Sequence, residues 1–299
     1  MRALENGSEG PETLLIGAPH YSALMQIGSD PARTGVTLAD MGGLDVIFPL
    51  LHGSFGEDGA IQGLFELADI AYVGAGVVGS AVGMDKGIFK SVMRAWGLPI
   101  LPYLMINRSE LSGGTDRVIA DISSELAFPV FVKPANLGSS VGISMAKDAA
   151  ELHVSLVEAA RWDRRLIVER GINGREIEVS VLGNDDPQVS IAGEIVPGSN
   201  FYDYMSKYVR GDSELLIPAP ITERQQDQVQ EFAVTAFKAV DCSGMARVDF
   251  LLDKLSGELW LNELNTIPGF TEISMYPRLW EASGLKYPEL IDRLIELAL

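Results

Sequence analysis

Met245-Ala246-Arg247-Val248-Asp249-Phe250, followed after a polar turn by Leu261-Asn262-Glu263-Leu264-Asn265-Thr266, is the stretch whose reading decides the fold. In each segment a polar pair stands at i and i+2, Arg247 with Asp249 and Glu263 with Asn265. In extended chain each pair therefore projects from one face while apolar neighbours take the other. Lys254-Leu255-Ser256-Gly257 reads as the turn between two strands, and a hairpin centred there sets Asp249 beside Glu263. Two carboxylates and an amide with only Arg247 nearby are poorly balanced unless divalent cations sit among them, and oxygen-only ligands suit Mg²⁺. The competing reading is a solvated sheet face. Flanking by Met245, Phe250, Leu261 and Leu264 points to semi-burial and so to the metal.

Working outward, Arg175–Leu299 reads as one region with strands EIEVSVLG and VSIAGEIV, a loop over 197–213, a helix over Thr222–Val240, the hairpin, and a helix ending in IDRLIELAL. Before it, residues 98–174 carry a polar helix near 116–126, strands FPVFVKP, VGISMA and RLIVER, and a helix over 149–161. Upstream, DVIFPLLHG has the form of a buried strand delivering a loop, GAIQGLFELADI an amphipathic helix, AYVGAG a strand, and 84–96 a helix stopped by Gly97 and Pro99. These are β-loop-α-β units. Residues 1–43 read as irregular, with Leu14–Gly17 and Gly35–Leu38 alone strand-like and Met41-Gly42-Gly43 as breakers. The implied class is α/β with α+β, in three regions: 1–86, 87–174 and 175–299.

The charge balance limits the chemistry. With 23 Lys plus Arg against 41 Asp plus Glu, the net charge of −18 repels nucleic acid and anionic lipid. A small anion remains possible where a few cations converge with a divalent ion. The one cysteine, Cys242, excludes an intrachain disulfide and fits a reducing, cytoplasmic setting. His20, His52 and His153 lie too far apart for a HExxH zinc site. The uncharged runs 13–29 and 70–84 are too broken to span a membrane, and MRALENGSEGPE does not read as a signal peptide.

Gly74-Ala75-Gly76-Val77-Val78-Gly79 matches GxGxxG, but no carboxylate stands about 20 residues on, where Leu98-Pro99-Ile100-Leu101-Pro102 is found. A tight strand-to-helix turn is the better reading. Lys133 ends an apolar strand before Ala135-Asn136-Leu137-Gly138-Ser139-Ser140. That loop reads equally as a flexible phosphate cover or as an ordinary Gly-Ser hairpin with a solvated lysine. In the loop His52–Gly59, His52 fits a satisfied core histidine and Asp58 an N-cap, while Glu57 is the better candidate to meet a substrate cation. Pro268–Ser274 follows the metal strand directly. Phe201-Tyr202-Asp203-Tyr204-Met205-Ser206-Lys207-Tyr208 reads as a lid.

HGSFGEDGAIQG, MDKG, FVKPANLGSSVGIS, LIVERGINGREIEV, FYDYMSKY, MARVDF and LNELNTIPGFTEISMYP, in this order over residues 44–299, resemble the D-alanine:D-alanine ligases of the ATP-grasp superfamily. The resemblance implies an ATP-grasp fold after a Rossmann-like N-terminal domain. It implies ATP-dependent joining of two D-alanines through an acyl phosphate, for peptidoglycan precursors. Lys86, Lys133 and Lys207 would meet the phosphates, the segment Glu169 to Ile172 the adenine, and Glu176 the ribose, with Asn262 also on the nucleotide side. Asp249, Glu263 and Asn265 would hold two Mg²⁺, or Mn²⁺ in their place. Arg247 and the Gly269 N–H would stabilise the oxyanion. Ser274 would hold the second substrate's carboxylate, Glu57 and His52 would lie on the substrate side, and Ser139 and Tyr208 would close the lid. Tyr208 favours a dipeptide over a depsipeptide product. The resemblance also makes a homodimer an assembly to test.

One departure stands out. The family opens with an apolar strand and Gly-Gly-x-Ser-x-Glu, whereas here Gly42-Gly43 precedes Leu44-Asp45-Val46. The expectation is a first domain shortened at its N-terminal edge, with ATP and Mg²⁺ bound but D-alanine ligated poorly. The competing readings are an ATP-grasp ligase for other amino or hydroxy acids, and an inactive ATP-binding relative.

Overall fold

The computed structural model describes residues 13–19, 23–29, 36–138, 141–196, 214–271 and 273–299. It begins with an antiparallel meander of β1 (Thr13–Leu15), β2 (Ala23–Ser29) and β3 (Val36–Gly43). The expectation of irregular chain with only two strand-like stretches therefore fails here. The Met41-Gly42-Gly43 breakers lie inside β3, where Gly42 has a φ of +104° and the register against β2 shifts between Ala23 and Met25. Glycine at a bulge does not end a strand when cross-strand pairing supplies the hydrogen bonds.

The β-loop-α-β reading that follows holds. β4 (Val46–Ile47) leads through a loop to α1 (Ala60–Ala68) and β5 (Ala71–Tyr72), and β4 and β5 pair in parallel. The helix expected over 84–96 is present as α3 (Lys86–Ala95), and a further helix, α2 (Val77–Met84), precedes it. Asp85 separates them: its backbone is extended, and its carboxylate accepts from the N–H groups of Gly87 and Ile88 as the N-cap of α3. The GxGxxG segment is a structural turn. Gly74 has a φ of +108°, Gly76 caps α2, and a Cβ on Gly79 would stand 2.8 Å from the Asp241 carbonyl oxygen.

A four-stranded antiparallel sheet in the order β6-β9-β7-β8 comes next, built from β6 (Tyr103–Asn107), β7 (Val130–Pro134), β8 (Ser144–Ala146) and β9 (Arg165–Arg170). Helices α4 (Asp116–Glu125) and α5 (Ala149–Trp162) cover one face, burying Val130, Val132, Leu166 and Val168 against Ile122, Leu152 and Leu156. Alternation leaves Phe131, Lys133, Ile167 and Glu169 on the opposite face.

The third unit is antiparallel, in the order β13-β12-β10-β14-β15 with β11 beside β10. Its strands are β10 (Gly174–Leu182), β11 (Gln188–Val189), β12 (Gly193–Val196), β13 (Glu214–Leu216), β14 (Met245–Asp253) and β15 (Leu259–Asn265). VSIAGEIV is thus two short strands, because Ser190 turns its hydroxyl to accept from the Ser180 N–H. Helix α6 (Glu223–Ala239) starts at Thr222, which forms a capping box with Gln225. With α3, it packs on Ile177, Val179, Val248, Phe250 and Leu261. The C-terminal α7 (Met275–Ala282) and α8 (Tyr287–Ala298) close a separate core around Tyr276, Trp280 and Leu290.

Candidate active site

The hairpin delivers what its spacing promised. β14 and β15 pair with Asp249 opposite Glu263 and Arg247 opposite Asn265. Between these positions and Phe250↔Leu261 the register slips by one residue on β15, leaving Asn262 as a bulge. The bulge reverses the strand's phase. Leu259 and Leu261 are buried before it and Leu264 after it, so Glu263, two residues from Leu261, escapes the core face.

Arg247 lies across Asp249 as a fork, with Nε 2.7 Å from Oδ1 and a terminal nitrogen 2.7 Å from Oδ2. Its Nε also stands 3.0 Å from Glu178 Oε2, and Asn265 Nδ2 donates to Asp249 Oδ2 at 3.0 Å. Burial works against the guanidinium's charge, but Asp249 and Glu178 outweigh it and hold the group protonated well above its ordinary range. Glu178 is absent from the sequence-based set. Its signal is the alternation Glu176, Glu178, Ser180, which puts all three on the face opposite Ile177 and Val179.

A second group lies on α3 and the four-stranded sheet. Lys86 donates from its backbone to Ala135 O at 2.9 Å and from Nζ to Leu137 O at 2.6 Å, tying the start of α3 to the loop after β7. Asp85 accepts from Arg165 on β9 at 2.6 Å. Lys133 Nζ is 2.7 Å from Glu169 Oε2, and Lys90, one helical turn after Lys86, pairs with Glu169 Oε1. Burial strongly opposes ionisation of Glu169, yet Lys133 and Lys90 together hold its pKa down at about 2. Glu169, which opens the segment expected to meet the adenine, thus has its carboxylate engaged with two lysines, and Lys90 is a member that the sequence reading missed. The signal available was Lys86/Lys90 at i, i+4.

Two loops complete the arrangement. Glu57 Oε2 accepts from the Gly53 N–H at 2.6 Å, and burial pushes its carboxyl above the usual range, partly offset by that N–H and by nearby His52 and Arg247. His52 is exposed, so its core reading is wrong; its Nδ1 lies 3.0 Å from Ile267 O. Asp58 is likewise not the N-cap, a place taken by Gly59, and its carboxylate instead accepts from Phe55 N and Ala60 N. A Cβ on Gly138 would lie 3.5 Å from Gly53 Cα, so the loop after β7 reaches this segment. Beyond β15, Ser274 Oγ accepts from the Thr271 N–H at 3.0 Å, and a Cβ on Gly269 would meet that Oγ at 2.8 Å. Phe270 anchors the loop among Phe48, Tyr276 and Tyr287.

The structure therefore brings Glu57, Arg247, Asp249, Glu263 and Asn265 into one neighbourhood, with Lys90 feeling both Glu169 and Glu263 across the gap between the sheets. Glu176 lies half-buried on β10 opposite Ile195 and Leu251, and Ile172 half-buried in the link from β9 to β10. Ser139, Lys207 and Tyr208 lie outside the described residues. No group of three or more His, Cys, Asp or Glu that could hold a metal occurs among the described residues. The candidate set of two carboxylates and an amide still offers only hard oxygen donors, which fit a divalent ion of the Mg²⁺ kind. A separate cleft of about 640 Å³ is lined by Asp45, Glu66, Asp69 and Tyr72, with no lysine or arginine among the described residues that line it, and these acidic groups do not suit a phosphate.

Two family models match the chain. The one described as D-ala D-ala ligase C-terminus matches residues 92–296, and the one described as D-ala D-ala ligase N-terminus matches 22–75. The chain belongs to the D-alanine–D-alanine ligase family. Among its relatives, the D-alanine–D-alanine ligase of Heliobacterium modesticaldum is 57% identical over 86% of this chain and 70% of its own length. That of Acetivibrio thermocellus is 55% identical over 85% and 68%. The ligase fold is shared with the solved D-alanine-D-alanine ligase of Coxiella burnetii (41% identity, TM-score 0.78, 92% of this chain and 74% of that one). It is also shared with the VanG D-Ala:D-Ser ligase of Enterococcus faecalis (36% identity, TM-score 0.80, 92% and 80%).

Proposed function

We propose that this ligase joins two D-alanines into D-alanyl-D-alanine for peptidoglycan synthesis, with ATP converted to ADP and phosphate. The observation that carries the reading is the grouping of Arg247, Asp249, Glu263 and Asn265 on the hairpin, with Lys90 facing Glu263 on that side and Glu169, the partner of Lys133, on the other, in an otherwise strongly acidic chain. Transfer of a phosphoryl group needs positioning and charge neutralisation more than covalent help, and this set offers both. Lys86 and Lys133 neutralise the triphosphate, with the backbone of 169–172 along the base and Glu176 at the ribose. Asn262 lies on the nucleotide side. Asp249, Glu263 and Asn265 hold two Mg²⁺, which neutralise phosphate charge when bound.

The first D-alanine's carboxylate oxygen attacks the γ-phosphorus, ADP leaves, and an acyl phosphate forms. The second D-alanine's amine attacks the acyl carbon, loses a proton, and expels phosphate. Arg247 and the Gly269 N–H face the oxyanion of that step, Ser274 holds the incoming carboxylate, and Glu57 and His52 lie on the substrate side. Ser139, Lys207 and Tyr208 complete the assignment, as closure over the site.

The same proposal assigns the substrate side to residues 1–86, the smaller ATP-binding unit to 87–174 and the metal-binding unit to 175–299. It takes the ligase to be a cytoplasmic homodimer. Among the described residues no helix is long and apolar enough to cross a membrane. The test is ADP release with D-alanine, D-serine or D-lactate as second substrate, with products identified by mass spectrometry. One ADP per D-alanyl-D-alanine supports the reading. ADP release independent of D-alanine, or a mixed product made in preference, overturns it.

A further inference from the structure

Lys90 is a charged side chain almost wholly removed from solvent, on the helix that otherwise packs Phe89 and Met93 into the core of the C-terminal sheet. Burying an ammonium is costly unless a counter-charge comes with it, and Lys90 meets Glu169, itself 2% exposed, on the neighbouring four-stranded sheet. Glu169 divides its two oxygens: Oε1 faces Lys90 and Oε2 accepts from Lys133 Nζ at 2.7 Å. The one carboxylate of Glu169 is thus shared between two lysine side chains. Without Lys90, the carboxylate would cancel Lys133 outright.

The face of β7 and β9 that bears Lys133 and Glu169 is the one turned away from α4 and α5. Lys86 stands one turn earlier on the same face of α3 and reaches the loop after β7. One helix therefore registers both phosphate-side lysines, Lys86 directly and Lys133 through Glu169.

We propose that Lys90 is a positioning residue of the nucleotide site, which holds Glu169 in place and keeps it from neutralising Lys133. The inference rests on the nucleotide reading given under Proposed function. It reaches substrate only through Glu169 and Lys133, and this determines how it is tested.

MgADP binding is measured by calorimetry, and initial rates with ATP varied, for the parent chain and for Lys90→Met, Glu169→Gln and the double variant. Lys90→Met is expected to weaken MgADP and raise the KM for ATP about tenfold, with kcat at saturation changed less than about threefold. In the Glu169→Gln background, where no buried carboxylate remains to be held, Lys90→Met is expected to change MgADP affinity less than about twofold. Parent-like affinity in a folded Lys90→Met overturns the proposal, as does a tenfold loss in the Glu169→Gln background. If Lys90→Met does not fold, the comparison within the Glu169→Gln background decides. Failure of the parent chain to bind MgADP would instead refute the nucleotide reading itself.

Discussion

Gly269 has no room for a side chain: a Cβ there would lie 2.8 Å from Ser274 Oγ, which is held by the Thr271 N–H and lies near the Thr271 hydroxyl. Neither partner has a long side chain to swing aside, so Gly269→Ala must displace Ser274 or its loop. We expect the KM for the second D-alanine to rise about tenfold, equivalent to ~1.4 kcal/mol, with the melting temperature within about 3 °C of the parent. Rates with D-alanine varied check this, and an unchanged KM would place Ser274 away from the substrate carboxylate. At this scale the sequence was most informative where periodicity and charge coincide. Arg247 with Asp249 and Glu263 with Asn265 could each be paired on one face from spacing, and the turn at Lys254–Gly257 set the two pairs side by side. Glu178 and Lys90 were missed because each is interpretable only with its partner, on β14 and β9 respectively, and those pairings are long-range. His52 was misread because an apolar run before it suggested burial, whereas the chain has already turned outward at the end of that run.

The bulge at Asn262 belongs to the element scale, because it acts on every residue after it in β15. Deleting Asn262 removes the extra residue and restores strict alternation, which would swing Glu263 onto the face shared by Leu259 and Leu261. The expected outcome is loss of Mg²⁺-dependent nucleotide binding together with a fall in stability, measured by calorimetry and urea unfolding. Asn262→Ala keeps the residue count and is expected to retain most of the stability. If the deletion variant bound MgADP as tightly as the parent, the phase argument would be wrong. The pattern Leu-Asn-Glu-Leu already broke alternation in the sequence, so the irregularity was visible there although its place in the register was not. Helix α3 is the converse case. Its start was legible to within two residues and is fixed by the Asp85 carboxylate as cap, whereas α2 before it, apolar and small throughout, has no polar face from which a period could be read. The opening meander was the least legible part, because β-pairing there overrides glycines that read locally as breaks.

For the whole molecule, Asp85 and Arg165 join α3, which packs in the C-terminal core, to β9 of the four-stranded sheet at 2.6 Å. Arg165→Met leaves Asp85 capping the helix but without its cation. Because the arginine is 24% exposed, we expect a loss of about 1–2 kcal/mol, below the range for fully buried pairs. Weaker nucleotide binding should accompany it, and urea unfolding and calorimetry read the two effects separately. The overall architecture was legible because each unit carries its own hydrophobic pattern; how the units meet was not, because single polar contacts such as this one set it. The close approach of Gly79 to Asp241 and of Gly244 to Gly74 extends the point to the chain's own history. Backbone meets backbone there across most of the sequence, so a ribosome working at about 5–20 residues per second must run for roughly ten seconds or more before the second half of the contact exists. Throughout that interval the Gly79 side of α2 lacks its Asp241 partner, and a chaperone that shields apolar segments during synthesis would find that side open.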